Sequence, residues 1–111
     1  MLIVRENLSK MRDLTPEQRF GRGPDMNGWV NDLIKDGKYI TGQPFAMKGY
    51  YVSKSGAVSD GNFLHDKEGV SGFDLIYAAD LNDAVEIAQR CPMVKIGMAI
   101  REVRPLEEFP E

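Results

Sequence analysis

The strongest strand pattern in the chain runs from Phe73 to Ala78, and it constrains the fold more than any other stretch. Successive side chains of a strand point to opposite faces, so this segment presents two different surfaces. One face carries Phe73, Leu75 and Tyr77, and the other carries Asp74, Ile76 and Ala78. Gly72 and Phe73 open the strand, and the chain is therefore expected to fold around a sheet.

A helix is predicted from Met26, where apolar residues recur at helical spacing and Gly37 follows as the residue after the helix end. The apolar stripe consists of Met26, Trp29, Val30, Leu33 and Ile34. Trp29 is expected to pack in the core. An earlier helix start is predicted at Thr15, with Pro16 at the first helical position and Gln18 completing a capping box. The segment from Gly21 to Pro24 interrupts that pattern.

A second helix is predicted after the strong strand, because Asp80 is a good N-cap residue and Asp83 follows three positions later. The buried stripe is expected to be Leu81, Ala84, Val85 and Ala88. Cys91-Pro92 ends this helix, and Cys91 is expected to pack as a small apolar side chain.

The remaining strands are predicted from short runs of alternating or β-branched residues. They are Leu2–Val4, Lys38–Ile40, a hairpin of Met47–Ser53 and Ala57–Ser59, and a last strand from Val94 through Ile100 to Pro105. Gly42-Gln43-Pro44 is expected to interrupt the second strand. The order of elements predicts an α+β fold of the βαββαβ type, an antiparallel sheet with both helices on one face.

The opposite face of such a sheet is left bare, and a bare face with this composition needs a cover. A second copy of the chain supplies one, so we expect a homodimer with the two sheets face to face. Phe73, Leu75 and Tyr77, or the alternate face with Ile76, are expected to be covered by the partner. Residues 1–111 are predicted to form a single domain.

Composition excludes several classes of function. A net charge of −3 over 111 residues, with no basic run, argues against a nucleic-acid surface. The N-terminus has only four apolar residues before Arg5, so we expect neither a signal peptide nor a membrane span. Cys91 is the single cysteine and there is no metal-type Cys/His spacing, so we expect no metal and a reducing, cytoplasmic setting. No cofactor is expected either.

A set of short motifs, each weak alone, recurs here in a specific order and spacing over nearly the whole chain. They are Leu14-Thr15-Pro16-Glu17, Gly37-Lys38, Gly42-Gln43-Pro44, Asp60-Gly61-x-Phe63, Lys67-Glu68, Gly72-Phe73, Asp80-Leu81-x-Asp83-Ala84, Cys91-Pro92 and Glu102-Val103-Arg104-Pro105. This combination resembles the DGPF branch of the YCII-related proteins. The resemblance implies a ferredoxin-like fold that assembles as a dimeric α/β barrel.

The resemblance also bears on function. Most members of the family have no established activity, whereas some relatives are lyases, dehydrochlorinases among them, with a proposed His–Asp pair in a pocket between sheet and helix. In this chain, Asn62 stands where the branch usually has proline, and His65 stands where glutamate is common.

The loop from Asp60 to Ser71 carries the only histidine and is the predicted site. An unperturbed histidine has a pKa of about 6.5, so His65 is the candidate proton carrier, with Asp60 as its orienting partner. Arg5 and Lys67 are candidate clamps for an anionic substrate. The polar side chains of Gln43 and Tyr51 are candidate lining residues. The alternative is that His65 is a solvated loop residue, that Asp60 caps a turn, and that Lys67 pairs with Glu68 in solvent.

Two functions fit these residues. The first is a cofactor-independent lyase or isomerase that moves a proton in a small organic acid. The second is a non-catalytic module that binds a small anionic metabolite in the dimer cavity. A His65 that titrates with a carboxylate within hydrogen-bond reach favours the first function, and an exposed His65 without a partner favours the second.

Overall fold

The computed structural model describes residues 1–6, 15, 26–46, 49–59 and 69–107. Within these ranges the chain forms six strands and three helices. The strands are β1 (Leu2–Glu6), β2 (Tyr39–Pro44), β3 (Tyr50–Ser53), β4 (Gly56–Ser59), β5 (Gly69–Ile76) and β6 (Ile100–Val103). The helices are α1 (Asn27–Lys35), α2 (Leu81–Gln89) and α3 (Pro92–Lys95).

Four strands make one antiparallel sheet in the order β2-β5-β1-β6. With one helix between β1 and β2 and another between β5 and β6, this is the ferredoxin-like arrangement, and the predicted α+β class is confirmed. The predicted hairpin is present as β3 and β4, but the two strands pair only with each other in the described part of the chain.

Both longer helices pack on one face of the sheet, hereafter the inner face. The core there consists of Leu2, Trp29, Leu33, Ile87, Ala88 and Cys91. The indole Nε1 of Trp29 donates a hydrogen bond of 3.1 Å to the carbonyl oxygen of Ile87, which ties α1 to α2. The predicted core positions of Trp29 and Cys91 are confirmed.

The strand register determines which side chains share the inner face. Leu2 lies opposite Asp74 on β5 and Val103 on β6, while Val4 lies opposite Gly72 and Arg101. Residues directly opposite in a sheet project from the same face. Asp74 and Arg101 therefore project toward the helices, next to the core.

The alternate residues define the other side of the sheet, hereafter the outer face. Ile3 lies opposite Phe73 on β5 and Glu102 on β6, and Arg5 lies opposite Ile100. No helix in the described part of the chain covers this face. The two-faced pattern predicted for the strand around Phe73 and Asp74 is confirmed.

The helix ends follow the predicted chemistry. Asp80 caps α2 by accepting a hydrogen bond of 2.8 Å from the main-chain N–H of Asp83, and the Asp83 carboxylate accepts one of 2.9 Å from Ala79. Gly37, with φ of 69°, follows the C-cap of α1. The predicted start at Thr15 falls on an exposed residue, and Pro16 and Gln18 lie outside the described residues.

Two strand boundaries differ from the prediction. β2 continues through Gly42 and Gln43 to Pro44 rather than stopping at Ile40. Among the described strands it lies at the edge of the sheet, where a proline without an N–H is tolerated. β5 begins at Gly69 instead of Phe73, so the end of the predicted loop belongs to the sheet.

Two predictions after β5 were wrong. The segment from Val94 to Met98 is not a strand, because Pro92 starts the short helix α3, in which Lys95 bonds back to Cys91. In α2, Leu81 is 53% exposed and Ile87 is fully buried. Ala84, Ile87, Ala88 and Cys91 follow the i, i+3, i+4, i+7 spacing, which centres the buried stripe on Ile87.

Candidate functional site

A cavity of about 270 Å³ lies between α1 and the inner face of the sheet. Its wall is mostly apolar and includes one group of polar side chains. The lining residues are Val4, Met26, Trp29, Val30, Tyr39, Gly42, Gln43, Pro44, Ser71, Gly72, Phe73, Asp74 and Arg101. A concave, largely apolar site with a few convergent polar groups is typical of small-molecule binding.

Asp74 and Arg101 form an ion pair within this wall. Asp74 comes from β5 and Arg101 from β6, and the two side chains meet across β1 through Nη1 and Oδ2. Their side chains are only 12% and 6% exposed, respectively. Charges this deeply buried are stable only when they are paired and hydrogen-bonded.

Tyr39 completes the polar group. Its hydroxyl donates a hydrogen bond of 2.8 Å to Oδ1 of Asp74. The pKa of Tyr39 is raised to about 12, mainly because the side chain is removed from water. The hydrogen bond to Asp74 and its negative charge raise the pKa further, whereas the positive charge of Arg101 lowers it. Tyr39 is therefore protonated at neutral pH and acts as a hydrogen-bond donor. We call Tyr39, Asp74 and Arg101 the inner triad.

Arg101 is fixed from three sides. Its guanidinium lies over the ring of Trp29, 5.1 Å from the centroid, in cation–π geometry. Nη2 lies 3.7 Å from the sulfur of Cys91, and Nη1 binds Asp74. Nε is buried and has no hydrogen-bond partner among the described residues. The side chain is thus held in one position beside the cavity.

Two glycines allow the strands to approach closely at this site. A Cβ at Gly42 would meet the Asp74 carboxylate, the Tyr39 hydroxyl and, at 2.9 Å, the carbonyl oxygen of Phe73. A Cβ at Gly72 would lie 2.8 Å from the carbonyl oxygen of Gln43. The Tyr39–Asp74 hydrogen bond therefore requires glycine at position 42.

A second polar pair stands beside the triad. The hydroxyl of Ser71, a lining residue, donates a hydrogen bond of 2.6 Å to Oε2 of Glu6 at the end of β1. Ser71 is buried. This pair places a second carboxylate next to the cavity wall.

The sequence-predicted site is described only in part. Asp60, His65 and Lys67 lie outside the described residues, and Tyr51 is described only as the main-chain partner of Val58 in the hairpin. Arg5 donates from Nε to Glu102 at 2.8 Å on the outer face. Gln43 lines the cavity. Because neighbouring Gly42 faces the triad, alternation directs the Gln43 side chain to the outer face.

No sequence pattern predicted the inner triad. One signal was available for Asp74, which is a charged residue alternating with Ile76 and Ala78 in the strongest strand. A buried polar residue is more informative than an exposed apolar one. Arg101 and Tyr39 gave no such signal, because only the register between strands brings them to Asp74.

A second cavity of about 510 Å³ lies where α2 and the end of β5 meet the segment after β6. Exposed apolar side chains mark it, among them Ile40, Tyr77, Leu81 and Leu106. In the described part of the chain, no three His, Cys, Asp or Glu residues are grouped so as to hold a metal ion. No described helix is long and apolar enough to cross a membrane.

Chemically, the inner triad presents a fixed carboxylate to a small apolar cavity. A carboxylate has about four lone-pair sites, and the described bonds to Asp74 use one on each oxygen. Asp74 can therefore accept a further hydrogen bond or a proton from a bound molecule.

The family model described as the YCII-related domain matches residues 1–107, nearly the whole chain. No curated protein matches the chain.

Proposed function

The chain belongs to the YCII-related family, and on that premise we propose that it is a cofactor-independent lyase or isomerase acting on a small organic acid. The reaction takes place in the cavity between α1 and the sheet. The observation that carries this proposal is the position of Asp74, a buried carboxylate held by two partners in the wall of an apolar cavity.

In the proposed reaction, Asp74 accepts a proton from a carbon atom next to a carbonyl group of the substrate. The electron pair left on carbon forms a double bond. In an isomerase the electrons pass to the carbonyl oxygen and the proton returns at another position, while in a lyase they expel a leaving group from the neighbouring carbon. Tyr39 and Arg101 hold the carboxylate in place throughout.

The loop residues are a second part of the proposal. His65 is proposed as a proton carrier that exchanges with the substrate or with Asp74, with Asp60 as its orienting partner. Lys67 is proposed to attract the anionic group of the acid, and Tyr51 to contribute to binding. Replacement of His65 by Asn tests this part independently of Asp74, since the two residues belong to different segments.

The experiment has two stages. A panel of small carboxylic acids is first screened for an increase in thermal stability, which reports ligand binding to the folded state. Each ligand found is then incubated with the protein in D₂O, and loss of a carbon-bound proton signal is followed by ¹H NMR. If the protein is an enzyme, the carbon-bound proton should exchange with deuterium. We expect Asp74→Asn to abolish this exchange and Tyr39→Phe to slow it.

The matched control is Asp32→Asn, which makes the same carboxylate-to-amide change on the exposed surface of α1. It should exchange at the wild-type rate. Binding without any proton exchange would contradict the enzymatic proposal.

The second candidate is a non-catalytic small-molecule-binding module. One observation favours it: both carboxylate oxygens of Asp74 already accept hydrogen bonds, as in a residue that shapes a site. This candidate predicts thermal stabilisation by a ligand with no exchange, so the same experiment distinguishes the two.

We further propose that the protein is a homodimer of the DGPF branch, a dimeric α/β barrel in which a second copy covers the outer face. In support, this face carries Ile3, Phe73 and Leu75, with Ile100 half exposed. A cytoplasmic location is proposed because the only cysteine, Cys91, is free and buried.

A further inference from the structure

The charges around the cavity carry information about the substrate. This inference rests on the function proposed for the same cavity and concerns the part of the substrate that enters it. Among the described lining residues, Arg101 is the one cation and Asp74 the one anion. They are paired with each other, so the described wall carries no net charge.

Arg101 is therefore a poor receptor for a carboxylate. Its positive charge is neutralised by Asp74, and its Nη2 is directed at Cys91. A carboxylate bound here would meet the carboxylate of Asp74 and a cation that Asp74 already compensates, and it would lose its hydration.

The rest of the inner wall suits an uncharged body. Met26, Val30 and Val4 contribute apolar surface, and Trp29 contributes an aromatic ring. Asp74 retains lone pairs for a donor on the ligand. Apolar side chains around the acceptor Asp74 match a compact, uncharged group that carries an N–H, an O–H or an acidic C–H.

We infer that the cavity binds the uncharged, reacting end of the substrate, a compact and mostly apolar group with a hydrogen-bond donor, and that the carboxylate of the acid stays outside. The inner triad thus selects against ligands whose charge would enter the cavity.

The test compares the affinities of two probes of nearly the same shape, benzamide and benzoate. Each probe is titrated into the protein, and binding is measured by the fluorescence of Trp29 and by calorimetry. Wild type is expected to bind benzamide at least about tenfold more tightly at neutral pH. Asp74→Asn removes the compensating anion, so Arg101 becomes available and the preference should reverse toward benzoate. Asp32→Asn should keep the wild-type preference.

A second measurement needs no variant and covers the case in which Asp74→Asn does not fold. On wild type, the apparent affinity for benzoate should rise as the pH falls and the probe becomes protonated, while that for benzamide stays constant. Equal or tighter binding of benzoate at neutral pH would overturn the inference, as would the absence of binding by either probe.

The outcome is separable from that of the proposed function. A preference for benzamide together with no proton exchange on any acid would refute the enzyme and keep the inference. Proton exchange together with a preference for benzoate would support the enzyme and refute the inference.

Discussion

The two faces of the four-stranded sheet are made by alternate residues of the same strands, yet they are opposite in character. The inner face lies under the helices and contains a buried ion pair, Asp74 and Arg101. The outer face is uncovered in the described part of the chain and carries apolar side chains such as Ile3 and Phe73. The inner face thus holds a charged pair beside its apolar core, and the outer face leaves apolar side chains uncovered.

Folded proteins usually bury apolar side chains and expose charged ones. Each face departs from this rule, and each departure points to a function. Buried charges cost stability unless they are paired, so their presence at a cavity suggests a role beyond folding. An exposed apolar face suggests a partner. The inner face is accordingly the proposed site for a small molecule, and the outer face the proposed site for a second copy.

The largest effect is expected from breaking the inner ion pair. Asp74→Ala leaves Arg101 buried and unpaired, and should lower the free energy of unfolding by roughly 3–5 kcal/mol. Urea denaturation measures the change. Asp32→Ala, at an exposed position of α1, is the control and should change it by at most about 0.5 kcal/mol. Equal losses for the two variants would mean that the pair is not buried in solution.

The next effect is expected at Gly42. Gly42→Ala places a Cβ against the Asp74 carboxylate and the Tyr39 hydroxyl, and should cost about 1–3 kcal/mol through forced displacement. Gly28→Ala is the matched control, since a Cβ there has nothing within 4 Å and lies in a helix. That variant should gain about 0.5–1 kcal/mol. A neutral Gly42→Ala would contradict the close strand approach.

The outer face is tested by a pair of exposed isoleucines. Ile100 on β6 is 50% exposed and Ile34 on α1 is 55% exposed, so a change to Lys costs each site a similar amount of apolar surface. Ile100→Lys should dissociate the proposed dimer, whereas Ile34→Lys should leave it intact. Sedimentation velocity at micromolar concentration measures both. Wild-type protein sedimenting as a 12.5 kDa monomer would refute the dimer itself.

A smaller effect is expected at alkaline pH. The pKa of Tyr39 is raised from 10.0 to about 12, so the folded state favours the protonated form. The resulting stability is fully present below pH 10 and is lost as the pH rises toward 12. A difference titration by ultraviolet absorbance, wild type minus Tyr39→Phe, should show a tyrosine ionising near pH 12. Ionisation of that tyrosine near pH 10 would contradict the buried hydrogen bond.

The smallest effect is expected at Glu102 on the outer face. Hydrogen bonds from Arg5 and then Arg104 lower the pKa of Glu102 below its ordinary 4.5. The stabilisation is therefore present above pH 4.5 and is lost as the pH falls through the folded-state pKa. Glu102→Gln should lower stability slightly at pH 7 and lose that difference in acid, as measured by denaturation at both pH values. A pH-independent difference would contradict the assignment.

Sequence patterns predicted the fold well, because local chemistry determines its main features. Alternation around Phe73 fixed the two faces of β5, and the capping residue Asp80 fixed the start of α2. The errors came where short apolar runs were ambiguous. Val94 to Met98 alternates like a strand, but Pro92 starts a helix there.

The candidate site was much harder to predict. Tyr39, Asp74 and Arg101 belong to three different strands, and only the register across β1 brings the two charged residues together. A single sequence does not reveal that register. A site was predicted in the loop with His65 because polar residues cluster there in sequence. Arg5, which was expected to bind a substrate, is instead paired with Glu102.

The most direct test uses Trp29, the only tryptophan in the chain and a lining residue of the cavity. Its indole N–H gives a single side-chain signal in a ¹H–¹⁵N NMR spectrum. Titration with the acid that stabilises the protein most should shift this signal to saturation, and the control variant Asp32→Asn should show the same shift. An indole signal that stays unchanged at saturation, while amides of the outer face shift, would contradict the inner cavity as the functional site.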